Sequence, residues 1–262
     1  MILYLYTDFL DIGVPVCVID LDKAGSSNSE ERIEFFDKYY QNLQKALDLY
    51  KHRFDLNFIL LGDREFIGDD WLNYLEEQGI TYIIRCRKDM KIGKDKIYRL
   101  VRDDMIVERS HNNKRYIIKK IEGDILALCT NDIGSNVEEI CESYRYRWEI
   151  EDAIRDLKSD GFNLEETRIT ISNRLENLLY VIFYGYFASV VFGRMVLMVD
   201  KVLRGRKSDF LTGIRILSGI ILGFVSYKIY LFILNMFRRT YREIWEILSY
   251  ISVNLRQNVG VV

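Results

Sequence analysis

The segment from Tyr144 to Lys158 constrains this chain more than any other, because it places four polar side chains at a helical spacing. The four residues are Tyr144, Arg147, Glu151 and Lys158, separated by three, four and seven positions. On a helix they fall within an arc of roughly 60°. A carboxylate is then framed by two cations and a phenol on one stripe, and the pattern predicts a helix with one functional face.

The stripe has residue types that suit phosphate chemistry. Glu151 can hold a divalent metal through its oxygens, Arg147 can bind a phosphate bidentately, and Lys158 can contact a DNA backbone. The alternative is an ordinary surface helix, on which Arg147 and Glu151 form an i,i+4 pair worth about 0.3 kcal/mol. The spacing alone leaves both interpretations open.

The residues around the stripe resemble one protein family. The order Tyr-Arg-Glu-Lys is similar to the signature of the DDE transposases encoded by bacterial insertion sequences, and the resemblance continues through Lys158–Thr167. A second block, Leu60–Gly68 with Trp71 just after it, looks like the segment that carries the family's second catalytic aspartate. The resemblance runs from about Val14 to the helices after Thr170.

The resemblance implies a transposase that cleaves and transfers DNA strands by metal-dependent phosphoryl transfer. It assigns Asp63 and Glu151 as catalytic carboxylates that bind Mg²⁺ or Mn²⁺, within about 8 Å of each other. It assigns Tyr144, Arg147 and Lys158 to DNA binding. The implied partners are the transposon ends and the target DNA, and a homodimer is conceivable.

The expected fold class is α/β, with a ribonuclease-H-like core, a β-rich insertion and C-terminal helices. In the first part of the chain the patterns follow the order strand, strand, helix, strand, helix, strand. The Phe58–Leu61 run stops at Gly62 and Asp63, which places Asp63 at the carboxyl end of a strand, where α/β sheets bind ligands. The predicted parts are 1–85 for the first part of the core, 86–140 for the insertion, and 141–262 for the Glu-bearing helix and the C-terminal helices.

Local patterns predict the individual elements. Ser26–Ser29 followed by Glu30 and Glu31 offers N-cap residues and an acidic first turn. The helix that begins there is expected to end near Tyr50, and a second helix is expected at Trp71–Gln78. The predicted strands are Met1–Thr7, Val14–Ile19, Phe58–Leu61, Thr81–Ile84, Lys96–Leu100, Tyr116–Ile118 and Ile125–Leu128.

The family's first catalytic aspartate has no obvious counterpart in this chain. The family carries it on the first strand, upstream of the segment that Val14–Asn28 resembles. Asp20 is an alternative third ligand, whereas Asp8 and Asp11 look like loop acids. We therefore expect an N-terminally truncated and catalytically impaired transposase without its first strand, in which the Phe58–Leu61 strand has a poorly paired edge.

Composition places the chain among intracellular globular proteins. Its 262 residues can bury a large core. Four cysteines stand far apart without a CxxC pair, which argues against a disulfide framework or a zinc site, and no secretory signal follows Met1. We expect a cytoplasmic protein. The net charge of −2 is unusual for a DNA-binding protein, so the local basic cluster at Arg85–Lys96 is either a DNA-backbone contact or a solvated face.

Two other functions agree with parts of the sequence. The chain could be a non-catalytic remnant that binds DNA or a full-length transposase. The apolar runs Leu178–Phe192 and Ile214–Phe237 could instead be two membrane helices. Gly193 and Arg194 cut the first run short and charged residues interrupt the second, so we expect no membrane insertion.

Overall fold

The structure is a computed structural model of the chain. It describes residues 2–7, 12–18, 27–50, 59–103, 105–121, 123–160, 162, 164–199, 209–221, 231 and 235. The chain divides into two compact units. The sheet unit comprises Lys23–Tyr40 and Lys51–Arg147, and the helix unit comprises Met1–Asp22, Gln41–Tyr50 and Trp148–Val262.

Strands and helices alternate at first, as the sequence patterns predict. The described strands are β1 (Ile2–Thr7), β2 (Ile12–Val18), β3 (Ile59–Gly62), β4 (Thr81–Arg85), β5 (Lys91–Ile92), β6 (Asp95–Lys96), β7 (Val107–His111), β8 (Lys114–Ile121) and β9 (Asp124–Thr130). The described α-helices are α1 (Ser29–Tyr50), α2 (Asp69–Glu77), α3 (Ile97–Leu100), α4 (Val137–Arg145), α5 (Arg147–Arg155), α6 (Ser172–Val199) and α7 (Asp209–Ile221). A π-helix covers Asp156–Asp160, and 3-10 turns cover Arg64–Phe66 and Leu164–Glu166.

A five-stranded sheet in the order β3-β4-β9-β8-β7 forms the framework of the sheet unit. β3 and β4 are parallel, and the remaining pairs are antiparallel. β3 is the end strand of this sheet and pairs only with β4 among the described strands. The poorly paired edge expected from the sequence stays a prediction. The arrangement confirms the α/β class.

Alternating side chains of β4 pack on opposite faces of this sheet, as a period of two requires. Tyr82 and Ile84 join a core with Trp71 and Leu75 of α2 and Phe36 of α1. On the other face, the cluster of fully buried residues is built from β4, β8, β9 and α4. Its members are Ile83, Ile117, Leu128, Ile140 and Tyr144. The sheet therefore holds α4, and with it Tyr144, in a fixed place.

Asparagine caps begin the two helices that lie on this sheet. At α1, the Asn28 side chain accepts a hydrogen bond from the Glu31 backbone N–H, and the Glu31 carboxylate accepts one from the Asn28 N–H. Asn136 and Glu139 make the same reciprocal pair at α4. The predicted start of α1 is thus confirmed, since each cap satisfies backbone donors that the helix leaves open.

The predicted strand at Lys96–Leu100 is wrong, because this segment becomes the helical turn α3. The Ile97 backbone N–H donates to the Met90 oxygen and the Tyr98 N–H to the Lys88 oxygen, and these bonds fold the segment back on the preceding loop. The other predicted strands of 86–140 lie in β8 and β9. Because β9 pairs with β4, they continue the sheet that contains β3.

The helix unit packs α5 and the π-helix against α6 and α7. Ala153 and Leu157 enter one buried cluster with Phe183 and Phe187 of α6 and Phe210 of α7. α6 runs through Gly193 and Arg194 without a break, so the helix extends beyond the apolar run Leu178–Phe192.

A search of the described residues for membrane-spanning helices finds one candidate, Ser172–Arg194, by length and composition. Its mean hydropathy is 1.5, and 44% of its most apolar window is buried. The core helix of a globular protein has the same properties, and α6 supplies several side chains to the buried cluster of the helix unit. The helix is therefore weak evidence for a membrane protein.

Candidate active site

Asp63 follows β3 directly, at the carboxyl end of the strand. Its side chain caps the 3-10 turn Arg64–Phe66 by accepting a hydrogen bond of 2.7 Å from the Arg64 backbone N–H. The residue before it is Gly62, where a Cβ would lie 3.1 Å from side-chain atoms of both Ile84 and Phe66. The close packing at Gly62 and the cap at Asp63 fix the direction of the carboxylate, which remains partly exposed.

Tyr144 and Arg147 form a pair at the end of α4. The Tyr144 side chain is only 5% exposed, and the Arg147 guanidinium carbon lies 5.6 Å from the centre of its ring. The guanidinium is thus over the ring, and the Tyr144 hydroxyl is buried without a hydrogen-bonding partner of ordinary geometry among the described residues. Arg147 is 9% exposed, which differs from the solvent-open position that DNA binding would require.

Electrostatics link Tyr144 to Asp63. The pKa of the Tyr144 phenol is raised to about 12, mainly by burial; Arg147 and Arg85 act to lower it, and the Asp63 carboxylate acts to raise it. The packing explains this proximity, since Leu61 of β3 contacts the same core cluster as Tyr144. At neutral pH, Tyr144 therefore offers a protonated hydroxyl close to Asp63.

Arg85 is the site residue whose position the sequence did not reveal. It ends β4, next to β3, so its side chain and that of Asp63 follow neighbouring parallel strands. The guanidinium is 3.1 Å from Asp124 in an ion pair, and it is close enough to Tyr144 to lower the pKa of its phenol. In the sequence, Arg85 is one residue of a basic cluster. Only the shared carboxyl edge of two adjacent parallel strands could have identified it.

The predicted continuous helix from Tyr144 to Lys158 is interrupted. α4 ends at Arg145, Tyr146 forms its C-cap, and α5 begins at Arg147. The chain then turns into the π-helix that contains Lys158, so the regular angular spacing behind the predicted stripe does not extend to Lys158. Single-turn π segments are common at functional sites.

Glu151 and Lys158 both have exposed side chains. Glu151 lies on α5, and the buried apolar residues of α5 and the following π-helix, Ala153 and Leu157, belong to the core of the helix unit. Glu151 belongs to the helix unit, whereas Asp63 and Tyr144 belong to the sheet unit. The expected distance of about 8 Å between the two carboxylates stays a prediction.

Comparison with known proteins shows what kind of domain carries these residues. A sequence model described as a transposase DDE domain matches residues 40–187, which is more than half of the chain. The chain belongs to this family. The match includes all five candidate residues of the DDE transposase site, and the resemblance drawn from the sequence is confirmed at family level. No curated protein matches the chain.

DDE transposase domains usually act with a divalent metal, so the fit of the candidate residues to Mg²⁺ matters. Asp63 and Glu151 supply carboxylate oxygens, the ligands that this hard cation prefers. One Asp63 oxygen also caps the 3-10 turn. The described part of the chain contains no group of three or more His, Cys, Asp or Glu side chains that could hold a metal. The alternative ligand Asp20, like Asp8 and Asp11, lies outside the described residues.

Proposed function

We propose that this transposase domain cleaves and transfers DNA strands, with Asp63 and Glu151 as its metal-binding carboxylates. The observation that carries the proposal is the family match over residues 40–187. The position of Asp63 at the carboxyl end of β3 supports it, because this edge of an α/β sheet is the usual ligand site. The parallel pair β3 and β4, which α2 connects, supports a ribonuclease-H-like core.

The proposed metal is Mg²⁺, or Mn²⁺ in its place. When bound, it would activate the attacking oxygen and stabilise the leaving oxygen of the cleaved phosphodiester. Asp63 and Glu151 would hold it. Around them, Lys158 would bind a DNA phosphate. The proposed roles of Arg147 and Tyr144 in DNA binding require that both side chains, which are buried in this structure, become accessible when DNA binds.

The proposed partner is therefore DNA, both the transposon ends and the target, with a homodimer as a further proposal. The proposed compartment is the cytoplasm. The free thiols of the buried Cys86 and Cys129 agree with a reducing environment.

A second candidate function is a non-catalytic protein that binds DNA or a complete transposase. The observation that favours it is the lack of a three-residue metal group in the described part of the chain.

Strand cleavage in Mn²⁺ tests the proposal. Labelled DNA incubated with the purified chain should be nicked slowly, and Asp63→Asn and Glu151→Gln should each reduce the rate at least about 100-fold. Asp152→Asn, next to Glu151 and in an ion pair with Arg155, and Asp70→Asn, exposed on α2, are matched controls. Cleavage that survives both active-site variants would overturn the assignment. DNA binding without cleavage would favour the second candidate.

A further inference from the structure

A short segment of the sheet unit, residues 85–102, has a positive net charge, whereas the net charge of the whole chain is negative. It contains eight lysines and arginines and two aspartates, a net charge of +6, whereas the whole chain has a net charge of −2. The segment includes the end of β4, the hairpin β5–β6 and the helical turn α3. Such an asymmetry in an otherwise acidic protein indicates a local contact with a polyanion.

The cations of this segment are available to a ligand. Arg87, Lys88, Lys91 and Lys94 are all exposed, and none forms an ion pair with a residue that the structure describes. Arg85 differs from them, because it is paired with Asp124. Elsewhere in the sheet unit, Lys114, Arg115 and Lys120 are also paired with acids. Four exposed cations without an ion pair to a described residue thus lie close together in the sequence, on the hairpin and the loop before it.

The hairpin is held rigidly, which reduces the entropy lost when its lysines bind a ligand. Ile92 and Ile97 are 7% and 0% exposed and belong to the core beneath the sheet. The Met90 N–H donates to the Arg87 oxygen, and further backbone bonds tie α3 to this loop. Gly93 adopts a φ of +61°, which permits the tight turn that places Lys94 at the hairpin tip.

An exposed tyrosine orients two further cations. The Tyr98 ring is 44% exposed, and the Lys96 nitrogen and the Arg99 guanidinium carbon each lie 5.7 Å from its centre. Cation–π attraction of this kind restrains flexible side chains at a surface. Tyr98 is thus a positioning residue for the second half of the segment.

We propose that residues 85–102 form a sequence-independent binding surface for the phosphate backbone of duplex DNA. Several accessible positive groups on a rigid element are what backbone binding needs. The identity of the polyanion as DNA rests on the proposed function. The binding surface itself rests on the charge, exposure and anchoring of the segment.

Binding of a short fluorescent duplex DNA of random sequence in EDTA tests the proposal without any contribution from catalysis. Lys91→Gln combined with Lys94→Gln should weaken binding on the order of tenfold, and should lower the slope of log affinity against log salt by about 0.9 per lost contact. Asp89→Asn combined with Asp95→Asn should tighten binding. This opposite effect cannot arise from misfolding.

A matched control removes two exposed cations outside the segment, by Lys45→Gln combined with Arg174→Gln. Tyr98→Leu should weaken binding less than the double lysine variant. If the control weakened DNA binding as much as the double lysine variant, or if the lysine variant kept the salt slope of the parent, the proposed binding surface would be wrong. Preference for an RNA duplex of the same length by tenfold or more would overturn its assignment to DNA. In contrast, a failure of the chain to cleave DNA would contradict the proposed catalytic role of Asp63 and Glu151 and would leave the binding surface untouched.

Discussion

The Tyr144 hydroxyl is buried and has no hydrogen-bonding partner of ordinary geometry among the described residues, although the Arg147 guanidinium lies over its ring. A buried polar group without a hydrogen bond costs free energy, so its removal should not destabilise the fold. Tyr144→Phe should leave the free energy of unfolding unchanged or raise it by about 1 kcal/mol, as measured by urea denaturation. If the hydroxyl serves DNA, the same variant should bind DNA more weakly. A loss of stability above about 1 kcal/mol would indicate a structural partner for the hydroxyl instead.

The raised pKa of Tyr144 predicts a pH effect on stability. Its phenol titrates near pH 12 in the folded chain, against about 10 in an unfolded one. Its contribution is fully present below pH 10 and is lost as the pH rises to about 12, by up to about 1.4 kcal/mol per pH unit. The parent should therefore lose stability faster than Tyr144→Phe above pH 10. Tyr98→Phe, which removes an exposed phenol, should behave like the parent, and parallel curves for parent and Tyr144→Phe would contradict the assignment.

At the scale of elements, α6 and α7 approach each other closely at two glycines. A Cβ on Gly193 would fall against the Asp209 backbone, and one on Gly213 against the Ser189 backbone. Backbone cannot yield as a side chain does, so Gly193→Ala should cost about 3 kcal/mol or more in thermal or urea unfolding. Gly185→Ala is the matched control on the same helix, because its Cβ would meet the movable ring of Phe162. Equal costs for the two variants would contradict this packing.

Local patterns in the sequence were enough to predict most helices and strands, but not the places where the chain turns or a helix is interrupted. The alternation of apolar residues and the cap at Asn28 correctly predicted β1 to β4, α1 and α2. The strand predicted at Lys96–Leu100 failed because backbone bonds to Lys88 and Met90, which no local pattern encodes, fold it into a turn. The same limit explains the interruption after Arg145.

The candidate site was predictable to the extent that it lies in contiguous motifs. The spacing of Tyr144, Arg147 and Glu151 and the block around Asp63 drew attention to residues that lie within the family match. The burial of Arg147 and the approach of Arg85 to Tyr144 were not predictable, because both depend on pairing between strands distant in sequence. A single sequence carries no direct record of such pairing.

At the scale of the whole molecule, the proposed function requires Asp63 and Glu151, which are far apart in the sequence, to bind the same metal. Substitutions of two ligands of one ion have non-additive effects on the free energy of metal binding, whereas substitutions of carboxylates at separate sites have additive effects. Metal affinity in a double-mutant cycle therefore reports directly on whether the two residues form one site.

The decisive measurement is the affinity of the chain for Mn²⁺, by electron paramagnetic resonance, in the parent, Asp63→Asn, Glu151→Gln and the double variant. Asp152→Asn is the control. The proposal predicts that each active-site variant weakens Mn²⁺ binding about tenfold or more, that the double variant is little worse than either, and that the control binds as the parent does. Additive losses, or equal Mn²⁺ affinity in all five proteins, would contradict a shared metal site at Asp63 and Glu151.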